Sequence, residues 1–291
     1  MDSTEMKNIQ WFPGHMAKTR RLIKANLSLV DAVVEILDAR TPMSSSNPEM
    51  ESLTAGKSRI VLLNKCDLAD DRATQMWVNY YSKKGIAAVP LDCKSGKGLK
   101  NFLPTVKKKV LKELMEKRSA HGMNGAAIRL MIVGIPNVGK SSFINKMAGS
   151  KRTKVEDRPG VTRSKQWVKL ENGVELLDMP GVLWPKFEDQ NIAVRLAFTG
   201  AISDSILDIE SLAMKLLSYL AEYYPDSLRE RYKIDIEADD TGLVLLEKVG
   251  RKRGMMISGG EINTERAAIT VLDEFRSGKL GRITLELPDK E

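Results

Sequence analysis

Gly134-Ile135-Pro136-Asn137-Val138-Gly139-Lys140-Ser141 has the spacing G-x-x-x-x-G-K-S, and it stands downstream of Asn64-Lys65-Cys66-Asp67. The glycines of such a loop let backbone N–H groups wrap phosphates, its lysine meets the β- and γ-oxygens, and its serine is placed to ligate Mg²⁺. Apolar Ile132-Val133 precede the loop and Ser142-Phe143-Ile144-Asn145 follow it, so it joins a strand to a helix. Asn64–Asp67 fits N-K-x-D. Its Asp67 can accept hydrogen bonds from guanine N1–H and the exocyclic amine, a pair that adenine lacks, and an unmatched carboxylate is costly. Alone, these four residues equally suit a turn after a strand. Together with the phosphate loop they select GTP over ATP.

Two further segments follow. Asp178-Met179-Pro180-Gly181 offers an aspartate to hold Mg²⁺ through water and a Gly181 N–H to sense the γ-phosphate. Thr162, in Arg158-Pro159-Gly160-Val161-Thr162, is the candidate first-switch residue closing on the metal, with a plain turn as the other reading. The base reader thus precedes the phosphate loop and both switches. That order is a circular permutation: it keeps the site and puts a new domain directly behind the second switch.

Short apolar runs at 33–37, 59–63, 87–91 and 129–133, with a shorter one at 175–177, are bounded by Asp, Asn or Gly. They suit strands buried on both faces of a mainly parallel sheet. Helical patterns at 71–84 and 105–118 alternate with them, which predicts an open α/β sheet with ligands at the carboxyl ends of its strands. Asp38, Asn64, Gly134 and Asp178 all fall at such ends. In 105–118, Val106, Val110 and Leu114 share the expected inward face. Beyond Trp184-Pro185-Lys186-Phe187 the pattern turns helical, with Ile209, Leu212, Ala213, Leu216, Leu217, Leu220, Ala221 and Tyr224 at helical spacing, then Ala268, Val271, Leu272 and Phe275. Only Arg282-Ile283-Thr284-Leu285 looks strand-like. Residues 1–190 are therefore expected to form the nucleotide domain and 191–291 a helical domain.

Hydrophobic residues make up 42% and charged residues 29% of the 291, a globular composition with no run long enough to span a bilayer and no signal-peptide core. Two cysteines, Cys66 and Cys93, argue against a disulfide framework and for a cytoplasmic setting. The net charge of +8 is uneven. Residues 1–190 hold 32 Lys and Arg against 20 Asp and Glu, giving +12, whereas residues 191–291 hold 14 against 18, giving −4. The front region suits an approach to a polyanion. A solvated basic surface is the alternative.

Trp11-Phe12-Pro13-Gly14-His15-Met16 and Asp38-Ala39-Arg40-Thr41-Pro42, with the permuted motif order, resemble the YlqF/YawG group of circularly permuted GTPases over nearly the whole chain. The resemblance implies a P-loop GTPase fold with a C-terminal all-helical domain. It implies an enzyme acting late in assembly of the large (50S) ribosomal subunit, binding rRNA and stimulated by the particle. Expected partners are the subunit precursor, rRNA and ribosomal proteins, with no membrane and no DNA. Expected nucleotide contacts are Asn64, Lys65, Cys66, Asp67, Asn137, Val138, Gly139, Lys140, Ser141, Ser142 and Gly181. Asp92-Cys93-Lys94 takes the second base loop, where Ser-Ala-Lys is usual; its backbone can still touch guanine.

Many GTPases place a water-orienting glutamine just after D-x-x-G. Here Val182 stands there, which the resemblance reads as a hydrophobic replacement, and His15 is the implied water-orienting residue. Packing within the N-terminal segment is the other role open to His15; His121 receives none. Catalysis would then rest on His15, Lys140 and Thr162. Asn137 is the candidate K⁺ ligand, and Ser141, Thr162 and Asp178 the Mg²⁺ set. Arg251, Lys252 and Arg253, and Lys107–Lys109, are candidate RNA contacts, since structured RNA is met mostly through its backbone and shape. Because the second switch runs straight into the helical domain, GTP and GDP states are expected to differ in RNA affinity. A GTP-gated scaffold and a signalling GTPase acting on a protein remain alternative functions.

Overall fold

The computed structural model describes residues 9–10, 14–123, 126–149, 165–170, 173–184 and 187–288, with residues 14–16 described as backbone only. One compact unit takes in 11–186 together with 284–291, and a second takes in 1–10 with 187–283.

In the first unit the elements run α1 (Gly14–Asn26), β1 (Ala32–Asp38), α2 (Met50–Leu53), β2 (Ser58–Asn64), α3 (Asp71–Lys83), β3 (Ala87–Pro90), α4 (Leu99–Thr105), α5 (Lys112–Ala120), β4 (Ile128–Val133), α6 (Lys140–Met147), β5 (Gln166–Lys169) and β6 (Val174–Asp178). The sheet order is β3-β2-β1-β4-β6-β5. Its pairs are parallel except for β5, which runs antiparallel to β6 at the edge. All seven residues of β1 are buried, as expected of a central strand covered on both faces. Even Glu35 is enclosed. Desolvation pushes its carboxyl above the usual range against the pull of Arg59, whose Nη2 lies 2.5 Å away.

The five strands expected between 33 and 177 are present, and register does the positioning. Asp38 pairs with Asn64 across β1 and β2, and Ile132 with Asp178 across β4 and β6, so the motif residues share one edge. The expected single helix over 105–118 is instead broken. Pro104 lies within α4, residues Val106–Val110 widen into a π turn, and α5 starts afresh at Lys112. A proline has no N–H for the helical ladder, and the wider turn shifts the inward face. Val106 and Leu111 are buried, whereas Val110 and Leu114 are half-buried.

The second unit holds α7 (Gln190–Phe198), α8 (Ile209–Tyr223), α9 (Pro225–Tyr232), α10 (Gly242–Lys252) and α11 (Thr264–Arg276). α8 packs on α10 and α11, burying Leu212, Leu216, Leu217 and Leu220 with Leu245, Val249, Val271 and Phe275. α10 begins so close to α8 that a Cβ at Gly242 would lie 2.5 Å from the Met214 carbonyl oxygen. Aspartates cap α7 and α8: the Asp189 and Asp208 side chains accept from the N–H groups of Asn191 and Ser211.

The expected 191–291 helical domain is therefore corrected at its end. Residues 284–288 belong with the sheet unit, and Ile9, whose N–H donates to Gln190 Oε1 at 2.8 Å, belongs with the helices. Arg282–Leu285 forms no strand. Among the described residues, no helix is long and apolar enough to cross a membrane.

Candidate functional site

The phosphate loop leaves β4 at Gly134 and enters α6 at Lys140. Two of its glycines are dictated by space and conformation. At Gly134, φ is +149° and a Cβ would lie 2.5 Å from the Ile36 carbonyl oxygen; at Gly139, φ is +99° and a Cβ would lie 2.2 Å from Asn64 Nδ2. Asn137 takes a left-handed conformation, φ +60°. The first N–H groups of an α-helix have no intrahelical acceptor, and the helix dipole favours an anion at that end.

Lys140 is buried, its Nζ donating to the carbonyls of Gly134 at 3.1 Å and Ile135 at 2.8 Å. Burial pulls its ammonium down to about 8, with Asp178 opposing. Asp178, at the end of β6, is buried, and neither carboxylate oxygen has a hydrogen-bond partner among the described residues. Desolvation raises it to about 6, against the pull of Lys140. A buried carboxylate left this way suits a cation, and Ser141 stands half-buried at the start of α6. The residues fit Mg²⁺. No cluster of three His, Cys, Asp or Glu side chains among the described residues could hold a metal by itself, so the remaining ligands would be nucleotide oxygens and water.

The second switch lies directly against this loop. A Cβ at Gly181 would stand 2.9 Å from Pro136 N, and the Val182 N–H donates to Gly134 O at 3.3 Å. Val182 itself is buried and apolar, with no group to orient water.

On the base side, Asn64 joins three loops. Its Nδ2 donates to Val138 O of the phosphate loop at 2.7 Å, and its Oδ1 accepts from Cys93 N at 3.1 Å. Asp67 is exposed at the turn. Asp92 is engaged with its own loop, its carboxylate accepting from the N–H groups of Lys94 at 2.7 Å and Ser95 at 3.0 Å. Burial works against that charge, yet these bonds prevail and hold the carboxyl below its usual range. Cys66 and Cys93 are free and buried, and burial pushes the Cys93 thiol up to about 12, leaving it neutral.

Sequence reasoning assigned no charge role to Asp38 and Arg40, yet they form the most enclosed ion pair beside the site. Arg40 donates from Nε to Asp38 Oδ1 at 2.9 Å and from Nη2 to Oδ2 at 2.8 Å, and both side chains are almost wholly buried. Lys65 Nζ adds a third contact to Asp38 Oδ2 at 3.0 Å, and Lys65 holds φ at +59°. Despite burial, these cations hold the Asp38 carboxyl far below the carboxylate range. An aspartate at a strand end with arginine two residues on was the available signal.

Asn64, Lys65, Cys66, Asp67, Asp92, Cys93, Asn137, Val138, Gly139, Lys140, Ser141, Ser142, Asp178 and Gly181 thus lie on loops and termini at one sheet edge. Gly14–Asn26 is helical, so the His15 backbone opens α1, but its side chain is not described. Thr162 lies outside the described residues. Arg251 and Lys252 are exposed at the end of α10, in the other unit. Arg253 is exposed as well, with its guanidinium 3.4 Å from Glu274 and 5.4 Å from the Tyr232 ring centre. Lys107–Lys109 sit on the π turn, with Lys108 and Lys109 exposed.

A mainly parallel sheet carrying a phosphate loop behind its base-reading loop defines a circularly permuted P-loop GTPase. A family model described as a 50S ribosome-binding GTPase matches residues 129–248, from β4 onward and without the upstream base reader. Ribosome biogenesis GTPase A of Bacillus cereus is 46% identical over 97% of this chain and 95% of that one. The Thermotoga maritima protein of the same name is 33% identical, covering 97% and 95%. A GDP-bound YlqF structure superposes with a TM-score of 0.66 at 30% identity, covering 93% of this chain and all of that one. The chain belongs to the ribosome biogenesis GTPase A family: it is a GTPase of ribosome biogenesis with ribosomal partners.

Proposed function

We propose that this chain hydrolyses GTP as a late assembly factor of the large ribosomal subunit, in the cytoplasm, binding rRNA on the precursor particle in a GTP-dependent way. The observation that carries the nucleotide reading is Asn64: one side chain bonds the phosphate loop and the second base loop, so base and phosphate recognition share a pocket. Asp67, at the exposed turn, accepts from guanine, and the Cys93 backbone flanks the base. Lys140 supplies positive charge to the β- and γ-phosphates. The Gly181 N–H meets the γ-phosphate, and its tight fit against Pro136 makes it a close sensor.

Ser141, Thr162 and, through water, Asp178 would hold Mg²⁺, which would supply positive charge to the phosphates. Asn137 would hold K⁺ beside the same phosphates. Val182 contributes nothing to water activation, so His15 orients the water and the basal rate is low until the particle completes the site. Exchange of K⁺ for Na⁺ is expected to slow turnover, and His15→Ala to abolish particle-stimulated hydrolysis; either variant behaving as wild type removes that part of the proposal. Arg251 and Lys252 are the RNA contacts of the helical unit, with Arg253 shared between RNA and Glu274.

The apolar Val182 also favours a second reading, a GTP-gated scaffold in which hydrolysis only resets release. Cosedimentation with immature and mature subunits tests both. Retention on immature particles with an uncleavable GTP analogue, and release with GDP, is expected. A scaffold would also be retained with the analogue, but the particle would mature without GTP cleavage, which single-turnover kinetics on the particle detect. Equal retention in both nucleotide states contradicts GTP gating, since a ligand shifts states only through differential binding.

A further inference from the structure

Residues 284–288 follow the last helix of the second unit but are part of the sheet unit, where they form a strap across two loops. Leu285 N donates to the Arg40 carbonyl at 2.8 Å. The Glu286 carboxylate accepts from Ser44 N at 2.7 Å and from Ser44 Oγ at 2.6 Å. Trp77 Nε1 donates to the Glu286 carbonyl at 3.0 Å, and Asp70 N donates to Thr284 Oγ1 at 3.0 Å. Thr284 and Leu285 are buried.

Both loops so clasped adjoin Asn64–Asp67. The 39–46 loop carries Arg40, which holds Asp38, which in turn holds the Lys65 ammonium. The same loop also bonds directly, Ala39 N donating to the Asn64 carbonyl at 2.8 Å. On the other side, Asp70 stands three residues beyond Asp67 and caps α3, accepting from Ala73 N at 2.8 Å. Lys65 needs such support, because a left-handed backbone is unfavourable for a lysine. A turn that must present Asp67 to a base in one geometry is thus braced upstream and downstream by the same three residues, Thr284 to Glu286.

We propose that the C-terminal strap is a positioning element for guanine recognition, with Glu286 its principal clasp. This rests on the reading of Asp67 as the base contact. Nucleotide affinity carries the effect chiefly through the base, because the strap's bonds go to Arg40, Ser44, Asp70 and Trp77, whereas the Lys140 ammonium is held by carbonyls of its own loop.

Full-length Glu286→Ala and Glu286→Gln test the proposal through competitive titrations with GDP and ADP, single-turnover hydrolysis at saturating GTP, and thermal unfolding. Glu286→Ala is expected to weaken GDP about tenfold, the size of one lost charge-assisted hydrogen bond. ADP affinity and the saturated hydrolysis rate should stay at wild-type values. Glu286→Gln, which can still accept from Ser44, should fall between. Asp67→Ala is the control: it removes the guanine preference whether or not the strap matters. If Asp67→Ala behaves so while both strap variants bind GDP within about twofold of wild type, the proposal is overturned. It is equally overturned if GDP and ADP affinities fall together with the melting temperature, the mark of a merely structural clasp. A wild-type protein without guanine preference overturns the base reading itself, and is recognised without any variant.

Discussion

The two halves of the nucleotide site handle charge in opposite ways. On the base side, three buried polar side chains are answered within the protein: Asp38 meets Arg40 and Lys65, Asn64 makes two bonds, and Asp92 caps its own loop. On the phosphate side, Asp178 has two buried oxygens without partners among the described residues, and Lys140 leans on carbonyls with its ammonium destabilised. The first half is ordered in advance. The second keeps charges whose partners come with the phosphates and their cation, so its electrostatics act on ligand rather than on folding.

The contrast is broken most readily by mutation. Arg40→Ala leaves the buried Asp38 carboxylate with Lys65 and the N–H of residue 40 and is expected to cost about 3–5 kcal/mol in urea unfolding. Lys140→Met should cost under about 1 kcal/mol, because Asp178 can take up a proton, yet slow hydrolysis roughly 10²–10³-fold. Equal destabilisation by the two variants would erase the distinction. Gly139→Ala sits between the halves. Its Cβ would collide with Asn64 Nδ2 in a left-handed backbone, so it should cost about 1–3 kcal/mol and weaken GDP binding in a titration.

The smallest expected effect is on pH. Asp178 has a folded value raised to about 6, so folding favours its neutral form and the group lowers stability as pH rises through the interval from the ordinary carboxylate value to 6. Cation binding has the opposite sign, since it needs the carboxylate. At about pH 5.5 only about a quarter of Asp178 is ionised, so the gain in GTP affinity from added Mg²⁺ should shrink about fourfold from its value near neutrality. Asp178→Asn should flatten that dependence. An undiminished Mg²⁺ effect at low pH would show that Asp178 is not the group concerned.

What could be seen in the sequence was whatever is written contiguously. Residues 33–37 and 129–133 declare strands because burial on both faces needs mostly apolar runs, and Gly134–Ser141 carries its loop geometry in its glycines. Gln166–Lys169 was invisible: a short edge strand with only Val168 buried leaves no pattern. Arg282–Leu285 was misleading, since its alternation suits a strand while its residues make separate bonds to Arg40 and Asp70 instead of a ladder. The strap was beyond reach, because Glu286 meets Ser44 across 242 positions of chain. Asp92 departed from the usual Ser-Ala-Lys, and only the folded loop reveals its carboxylate as an internal brace.

Calorimetric titration of the wild-type protein with GDP and ADP, repeated on Asp67→Ala, tests most directly whether a base reader from one end of the chain and a phosphate loop from the middle form one pocket. The expected result is a preference for GDP of about a hundredfold or more, lost in the variant while ADP affinity is retained. Equal affinities for the two nucleotides in the wild-type protein would contradict it.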